Sequence, residues 1–386
     1  MRPAPQAFDV VVVGGGPAGA TTALLLARAG ISTLVLESPP NRAQRLGEAL
    51  PPVANNLLRE LSLWTSFRQQ EHLPSHGLVS VWADEQPRVN DFFCASQGSG
   101  WNLDRNKFDS MLLEESQKAG ASVLAGARLT SCRQSKNQSW CLTFHYDGST
   151  FQVSSRYLVD ATGKDGTAAF EFLPKRAVID RLIGVVNFFQ DNDCCRYALV
   201  EAIDEGWFYS AGLPDHRLVV MYFTDADIYA HRRRDNPGYW GAQLNKAICT
   251  RSRMKNRHIT QNPAIVSAAT SRRLEVEGAG WIAVGDAAHS FDPLSSLGIY
   301  KALDSANHAC ESILRTLRVS HTDSTYNNWS DHVFGRYLHR RADFYLRERR
   351  WSESQFWKRR QNLDSMYLSR LSGLIQAQCA GYKTGH

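Results

Sequence analysis

Phe8-Asp9-Val10-Val11-Val12-Val13-Gly14-Gly15-Gly16-Pro17-Ala18-Gly19-Ala20, with Glu37 further on, is the stretch that decides the fold. Phe8 to Val13 is short, continuous and apolar, the signature of a strand buried on both faces of a parallel sheet. Pro17 to Arg28 reads as a helix, with Pro17 in its first turn and Gly30 stopping it. Ser32 to Leu36 is a second strand, so the unit is βαβ and the sheet is at least partly parallel. Gly14 permits the tight turn, Gly16 lets a backbone approach a diphosphate, and Gly19 lets the helix pack on the strand. The unpaired N–H groups of the helix start, with its positive end, suit phosphates. Glu37 lies 18 residues past Gly19, near the spacing expected of an acid that binds ribose hydroxyls. Pro17, Ala18 and Ser38 complete this candidate set, and a bound dinucleotide is expected. The pattern alone does not choose between a flavin and a nicotinamide.

The run Val10 to Ala29 is apolar enough to mimic a signal peptide or a membrane span. Gly14 to Pro17 interrupts it as a strand-turn-helix would, and no other stretch reads as a span. A chain of 386 residues, 43% apolar and 21% charged, fits a globular protein of two lobes. Its net charge of +6 is too small to imply nucleic acid. The charge is uneven: Asp331 to Arg360 holds nine Lys/Arg against four Asp/Glu. An acidic protein partner or plain solvent could face that stretch. Eight cysteines without a C-x-x-C pair suggest reduced thiols and a cytoplasmic protein. Cys194-Cys195 reads as two alternating strand residues. The twelve histidines are dispersed, with no metal-binding spacing.

Further along, Pro51-Pro52 opens a helix through Leu61, and Val79 to Phe93 reads as a hairpin. Arg105 to Ala119 has helical spacing. Short strands are expected near Leu129–Cys132, Trp140–Phe144 and Phe151–Val153, then a separate apolar strand ending at Asp160. Strands at 182–189, 198–203, 207–211 and 218–223, with one polar helix near 240–248, read as a mainly antiparallel second lobe. Thr322 to His386 reads as helical.

The second deciding motif is Trp281-Ile282-Ala283-Val284-Gly285-Asp286-Ala287-Ala288-His289, continuing into Phe291-Asp292-Pro293-Leu294-Ser295-Ser296-Leu297-Gly298 and a helix. It resembles the Gly-Asp motif of group A flavin monooxygenases, which share the p-hydroxybenzoate-hydroxylase fold. The resemblance implies FAD, with Gly285 and Asp286 at its ribityl chain. Pro293, Ser296, Leu297 and Gly298 would then face the pyrimidine edge of the flavin. Asp160-Ala161-Thr162-Gly163 looks like the mid-chain motif of the same family. Arg105 matches the arginine that reaches FAD there. Arg45-x-Gly47-Glu48 matches a loop that runs past the flavin in halogenase-like relatives. The fold implied is α/β: a three-layer ββα Rossmann-type (glutathione-reductase-like) FAD domain with an antiparallel-sheet substrate domain and C-terminal helices. The FAD domain would comprise residues 1–75, 101–175 and 273–320. The substrate lobe would comprise 176–272 with strands from 76–100, and 321–386 would form the helical region. No second Gly-x-Gly-x-x-Gly follows a strand, so NAD(P)H or another reductant would meet the flavin transiently.

A narrower resemblance rests on Gly47-Glu48-Ala49-Leu50-Pro51-Pro52, Gly100-Trp101-x-Leu103-Asp104-Arg105, and Glu201-x-x-x-Glu205-Gly206-Trp207-Phe208-Tyr209-Ser210. Phe291-Asp292-Pro293-Leu294-Ser295-Ser296-x-Gly298, Tyr345-x-x-Glu348-Arg349-Arg350-Trp351 and Phe356-Trp357-x-Arg359-Arg360 belong to the same set. Together they resemble the LodB/GoxB-type flavoproteins. In that group the flavoprotein is needed to build cysteine tryptophylquinone inside a partner amino-acid oxidase. The implied reaction is oxygen insertion from O2 on a tryptophan of the oxidase precursor. His289 is the candidate acid-base residue or a structural histidine. Asp292 either caps the next helix or faces the pocket. Glu48 is a third catalytic candidate, and Trp207 and Tyr209 are candidate substrate-lining residues. A hydroxylase of a small aromatic and a non-catalytic chaperone for the precursor are the competing readings. A halogenase of this fold would need an N-terminal lysine, and the first lysine here is Lys107.

Overall fold

Four consecutive valines, Val10 to Val13, favour extended backbone and want cover on both faces. In the computed structural model they lie at 0–6% exposure in the strand Gln6–Val13, at the centre of a parallel sheet. Thr33–Glu37 and Ser149–Asp160 flank that strand, both parallel to it. Ser122–Ala125 extends the sheet beyond Thr33–Glu37, and Trp281–Ala283 extends it beyond Ser149–Asp160. The structure describes residues 6–39, 47–92, 97–170, 172–190, 195–255, 263–319 and 325–362. Arg45, Cys194 and residues 363–386 of the expected helical region lie outside the described residues.

The chain forms two compact units: Met1–His72 with Ser96–Ile179 and Thr270–Ser330, and Leu73–Ala95 with Asp180–Ala269 and Asp331–His386. In the first unit the opening helix, Pro17–Arg28, packs on the helices Arg105–Lys118 and Gly298–Val319. Arg128–Gln134 and Trp140–Tyr146 form a meander with Ser149–Asp160. The sequence predicts two strands where this last one runs unbroken for 12 residues. Residues 149–155 pair with the meander and 153–160 with the opening strand, so ladder bonds span the polar Ser154-Ser155-Arg156 step.

The second unit is built on a seven-stranded sheet. Its order is Ala264–Ser267, Leu182–Gln190, Arg217–Asp225, Gly206–Leu213, Tyr197–Ile203, Gly77–Val81 and Arg88–Asp91. The pairs are antiparallel except Tyr197–Ile203 with Gly77–Val81, which is parallel. Three helices, Ala226–Asp235, Tyr239–Lys246 and Ile248–Arg253, stand where the sequence predicts one. The first lacks an apolar stripe, its last turn being Arg232-Arg233-Arg234. The third is capped from a distance: the buried Glu201 carboxylate accepts from Cys249 N, Thr250 N and Thr250 Oγ1. Among the described residues no helix is long and apolar enough to cross a membrane.

Candidate functional site

The glycine turn is shaped by what its glycines exclude. Gly14 has φ of +105°, and a Cβ there would lie 2.3 Å from Ala161 O. A Cβ on Gly19 would lie 1.9 Å from Gly14 O and 2.8 Å from the Ala161 Cβ, so only glycine lets the helix approach this closely. Gly16 is the opposite case. It caps the opening helix with no side-chain hydrogen bond, and a Cβ there would meet nothing within 4 Å. Pro17 begins the helix and Ala18 is buried beneath it. The Glu37 carboxylate accepts a hydrogen bond from Gly15 N, tying the acid to the turn. Ser38 follows on the exposed side. The result is open space over the amino end of a 12-residue helix, a setting that favours an anion.

Two other turns converge on this one. Asp160 ends its strand beside Val13. Its Oδ1 accepts from Thr162 N at 3.1 Å and Thr162 Oγ1 at 2.6 Å, which shapes the Asp-Ala-Thr-Gly turn. Its Oδ2 accepts from Arg273 at 2.8 Å in a buried pair. Gly163 has φ of +75° and open space at its Cβ position. Val284 N donates to Asp160 O at 2.9 Å, bringing the Gly-Asp turn alongside. Gly285, with φ of +60°, would put a Cβ 2.7 Å from that of Ala18. So Gly14, Ala161 and Gly285, far apart in sequence, meet at the carboxyl ends of three adjacent parallel strands, where open α/β sheets bind ligands.

Three cations that the sequence did not single out hold the Gly-Asp turn. Arg176 donates to Asp286 O and Ala287 O, both at 2.8 Å, and to Ser271 Oγ at 2.7 Å. Arg273 joins Asp160 to Pro174 O. Lys301, 2% exposed, donates to Asp286 Oδ1 at 2.6 Å and to His289 O. Their partners are too distant in sequence for any motif to show. Lys301 alone left a trace, as a charge beside the apolar positions Ile299, Ala302 and Leu303.

The candidate acid-base residues are enclosed. His289 is 0% exposed, its ring against Phe291 and Trp329 at 5.3 and 6.4 Å. Burial, then Lys301, Arg272 and Arg176, push its pKa well below the ordinary histidine value. Burial and the neighbouring cations disfavour the imidazolium form, and the ring packs among aromatic side chains. Asp292 is buried, and its Oδ1 accepts from Leu294 N at 2.9 Å, capping the short turn Pro293–Ser295. Ser296 follows with φ of +51°, then Leu297. Gly298 begins the helix Gly298–Val319 with open space at its Cβ position. Glu48 is buried, its Oε2 accepting from Gly47 N at 3.2 Å. Arg105 pairs with Asp109 through two hydrogen bonds of 3.1 Å and donates to Gly47 O at 3.2 Å, so it tethers the Gly47-Glu48 loop.

In the second unit Trp207 and Tyr209 share a strand face, as alternation requires. Trp207 is 1% exposed. It stacks on Phe223 at 4.1 Å, and its Nε1–H donates to Tyr345 Oη at 3.1 Å. It therefore serves the core and does not line an open cleft. Tyr209 is half-buried. Four arginines of the C-terminal basic stretch are likewise taken by acids of the same unit. Arg341 pairs with Asp180, Arg350 with Glu348, Arg359 with Asp225 and Asp227, and Arg360 with Asp225.

The family described as FAD binding domain matches residues 7–332. The chain is 31% identical over 363 residues to the FAD-dependent oxidoreductase LodB of Marinomonas mediterranea, covering 92% of this chain and 97% of that protein. It is 23% identical to the flavin-dependent halogenase armH5 of Armillaria mellea, over 86% of this chain and 69% of the halogenase. Among solved structures, the flavin-dependent halogenase CmlS superposes with a TM-score of 0.83 at 23% identity, covering 93% of this chain and 68% of that one. The peptidyl tryptophan dihydroxylase QhpG, essential for tryptophylquinone cofactor biogenesis, gives 0.73 at 26% identity, over 92% of this chain and 79% of that one. Gly16, Gly163 and Gly298 each have open space at the Cβ position, which leaves room for a cofactor such as FAD beside these turns. This chain belongs to the FAD-binding family, among its LodB-like FAD-dependent oxidoreductases of the flavin-monooxygenase type.

Proposed function

We propose that this protein hydroxylates a protein-bound tryptophan during assembly of cysteine tryptophylquinone in a partner amino-acid oxidase. The observation that carries this reading is the likeness to QhpG at 26% identity over 92% of the chain. The end-to-end likeness to LodB supports it. Gly14, Gly16 and Gly19 would hold the FAD diphosphate, Glu37 the adenosine ribose, and Asp286 the ribityl hydroxyls. Arg105 would fix the Gly47-Glu48 loop beside the flavin. Bound FAD, once reduced by NAD(P)H or another donor, supplies electrophilic oxygen from O2. Indole is electron-rich and needs no strong base, which agrees with an enclosed His289 whose imidazolium form burial disfavours. The protein's own task is then to orient the ring and exclude water.

Mass spectrometry of the oxidase precursor co-expressed with and without this protein tests the proposal. A gain of one or two oxygens on a single tryptophan is the expected result. An unmodified precursor beside FAD-loaded protein would refute it. Asp286→Ala distinguishes the chaperone reading, because a chaperone would still support maturation after FAD is lost.

A further inference from the structure

We propose that Lys301 is a positioning residue for the cofactor: it holds the Asp286 carboxylate facing outward, where the ribityl hydroxyls of FAD would donate to it. The inference rests on the reading of Asp286 as a cofactor ligand and extends it to the residue behind.

Lys301 stands in the first turn of Gly298–Val319, its N–H bonded to Leu297 O at 2.8 Å. The ion pair it makes is asymmetric: the Lys301 side chain is 2% exposed and that of Asp286 43%. The cation is sealed and the anion is part-exposed. A buried ammonium is costly unless its donors are met. Here Asp286 Oδ1 takes one at 2.6 Å and His289 O another, and the Phe291 ring lies 4.7 Å from the nitrogen. A leucine or methionine would fill the same volume without that cost, so the charge needs another explanation than packing.

The geometry supplies one. Among the described residues Lys301 is the only side chain hydrogen-bonded to the Asp286 carboxylate. Arg176 grips the backbone carbonyls of Asp286 and Ala287, and Arg273 serves Asp160. Two cations therefore shape the turns, and the third aims one side chain. Desolvation opposes ionisation of Asp286, while Lys301 first, then Lys164 and Arg176, favour it and together leave its pKa below the ordinary aspartate value. A carboxylate kept charged accepts hydroxyl hydrogen bonds roughly twice as strong as a neutral acceptor would.

The test is a double-variant cycle on FAD affinity, read by fluorescence titration of apo-protein. D286N is expected to weaken FAD binding about 10- to 100-fold, and K301M about 10-fold, the loss of one charge-assisted contact. K301R should recover to within about threefold of the wild type, since it restores a donor cation. K301M/D286N should bind about as D286N does, because without the carboxylate there is nothing to position. If D286N weakens binding and K301M does not, Asp286 is held without Lys301 and this inference alone fails. Multiplicative losses in the double variant would also overturn it. If D286N binds FAD as the wild type does, the cofactor reading of Asp286 fails and takes the inference with it. Circular dichroism checks folding, and K301Q carries the same cycle if K301M does not fold.

Discussion

Gly16→Ala separates cofactor binding from folding. Gly16 has φ of −67° and ψ of −177°, extended backbone that alanine adopts freely. The added methyl would meet no atom within 4 Å. Two small effects on stability oppose each other. Alanine is a poorer helix cap than glycine by about 0.5–1 kcal/mol, and it removes about 0.4–1 kcal/mol of unfolded-chain entropy. The net is within about 0.5 kcal/mol, so the apo-protein should melt within about 2 °C of the wild type. FAD binding should respond quite differently. The methyl projects into the space over the helix start, and displacing a diphosphate from there forfeits at least one charge-assisted hydrogen bond, about 1.5–3 kcal/mol. That corresponds to roughly a 10- to 100-fold rise in Kd. Thermal melts of apo-protein and calorimetric titration with FAD read the two quantities separately. Gly19→Ala is the contrast, because its methyl would fall 1.9 Å from Gly14 O and should lower both stability and affinity. A Gly16→Ala protein that binds FAD within twofold of the wild type would refute the placement of the diphosphate.

Other perturbations follow from the same structure. Arg273→Met leaves the buried Asp160 carboxylate without its cation and should cost about 3–5 kcal/mol in urea denaturation. Burial lowers the His72 pKa from its ordinary 6.5 to about 4, so the unfolded chain binds this proton first. Stability should therefore rise with pH between about 4 and 6.5 and be lost on acidification through that window, by about 3 kcal/mol at 1.4 kcal/mol per unit. His72→Gln should flatten that slope, and an unchanged slope would refute the assignment. Trp207→Ala should cost about 3–5 kcal/mol, as expected of a packed core aromatic, measured by chemical denaturation.

What the sequence showed clearly was whatever depends on neighbours in the chain. The helix Pro17–Arg28 is read to the residue because its start and stop signals, Pro17 and Gly30, are adjacent to it. The apolar strands of the second unit are legible for the same reason, since each carries its own run of buried residues. Failures begin where a partner decides. Ser149–Asp160 stays one strand because two different neighbours bond its two halves. Ile248–Arg253 is hard to foresee because its capping carboxylate, Glu201, comes from a strand 48 residues earlier.

The same rule governs charge. Counted along the chain, Asp331 to Arg360 is strongly basic and invites a partner. In space, Arg341 meets Asp180 at 3.0 Å and Arg360 meets Asp225 at 2.9 Å, each acid more than 130 residues away. The guanidinium of Arg360 also lies 3.6 Å from the Phe356 ring centroid, so a residue type that usually seeks water is 1% exposed. Lys301 shows the converse at the Gly-Asp turn. Sequence reading could single out Asp286 because its strand and turn are local, yet the cation that pairs with it comes from a helix 15 residues later. A buried cation is costly enough that its position is set by whichever acceptors are near. Acceptor geometry exists only after folding, so a turn can be legible in a sequence while the cation that pairs with it is not.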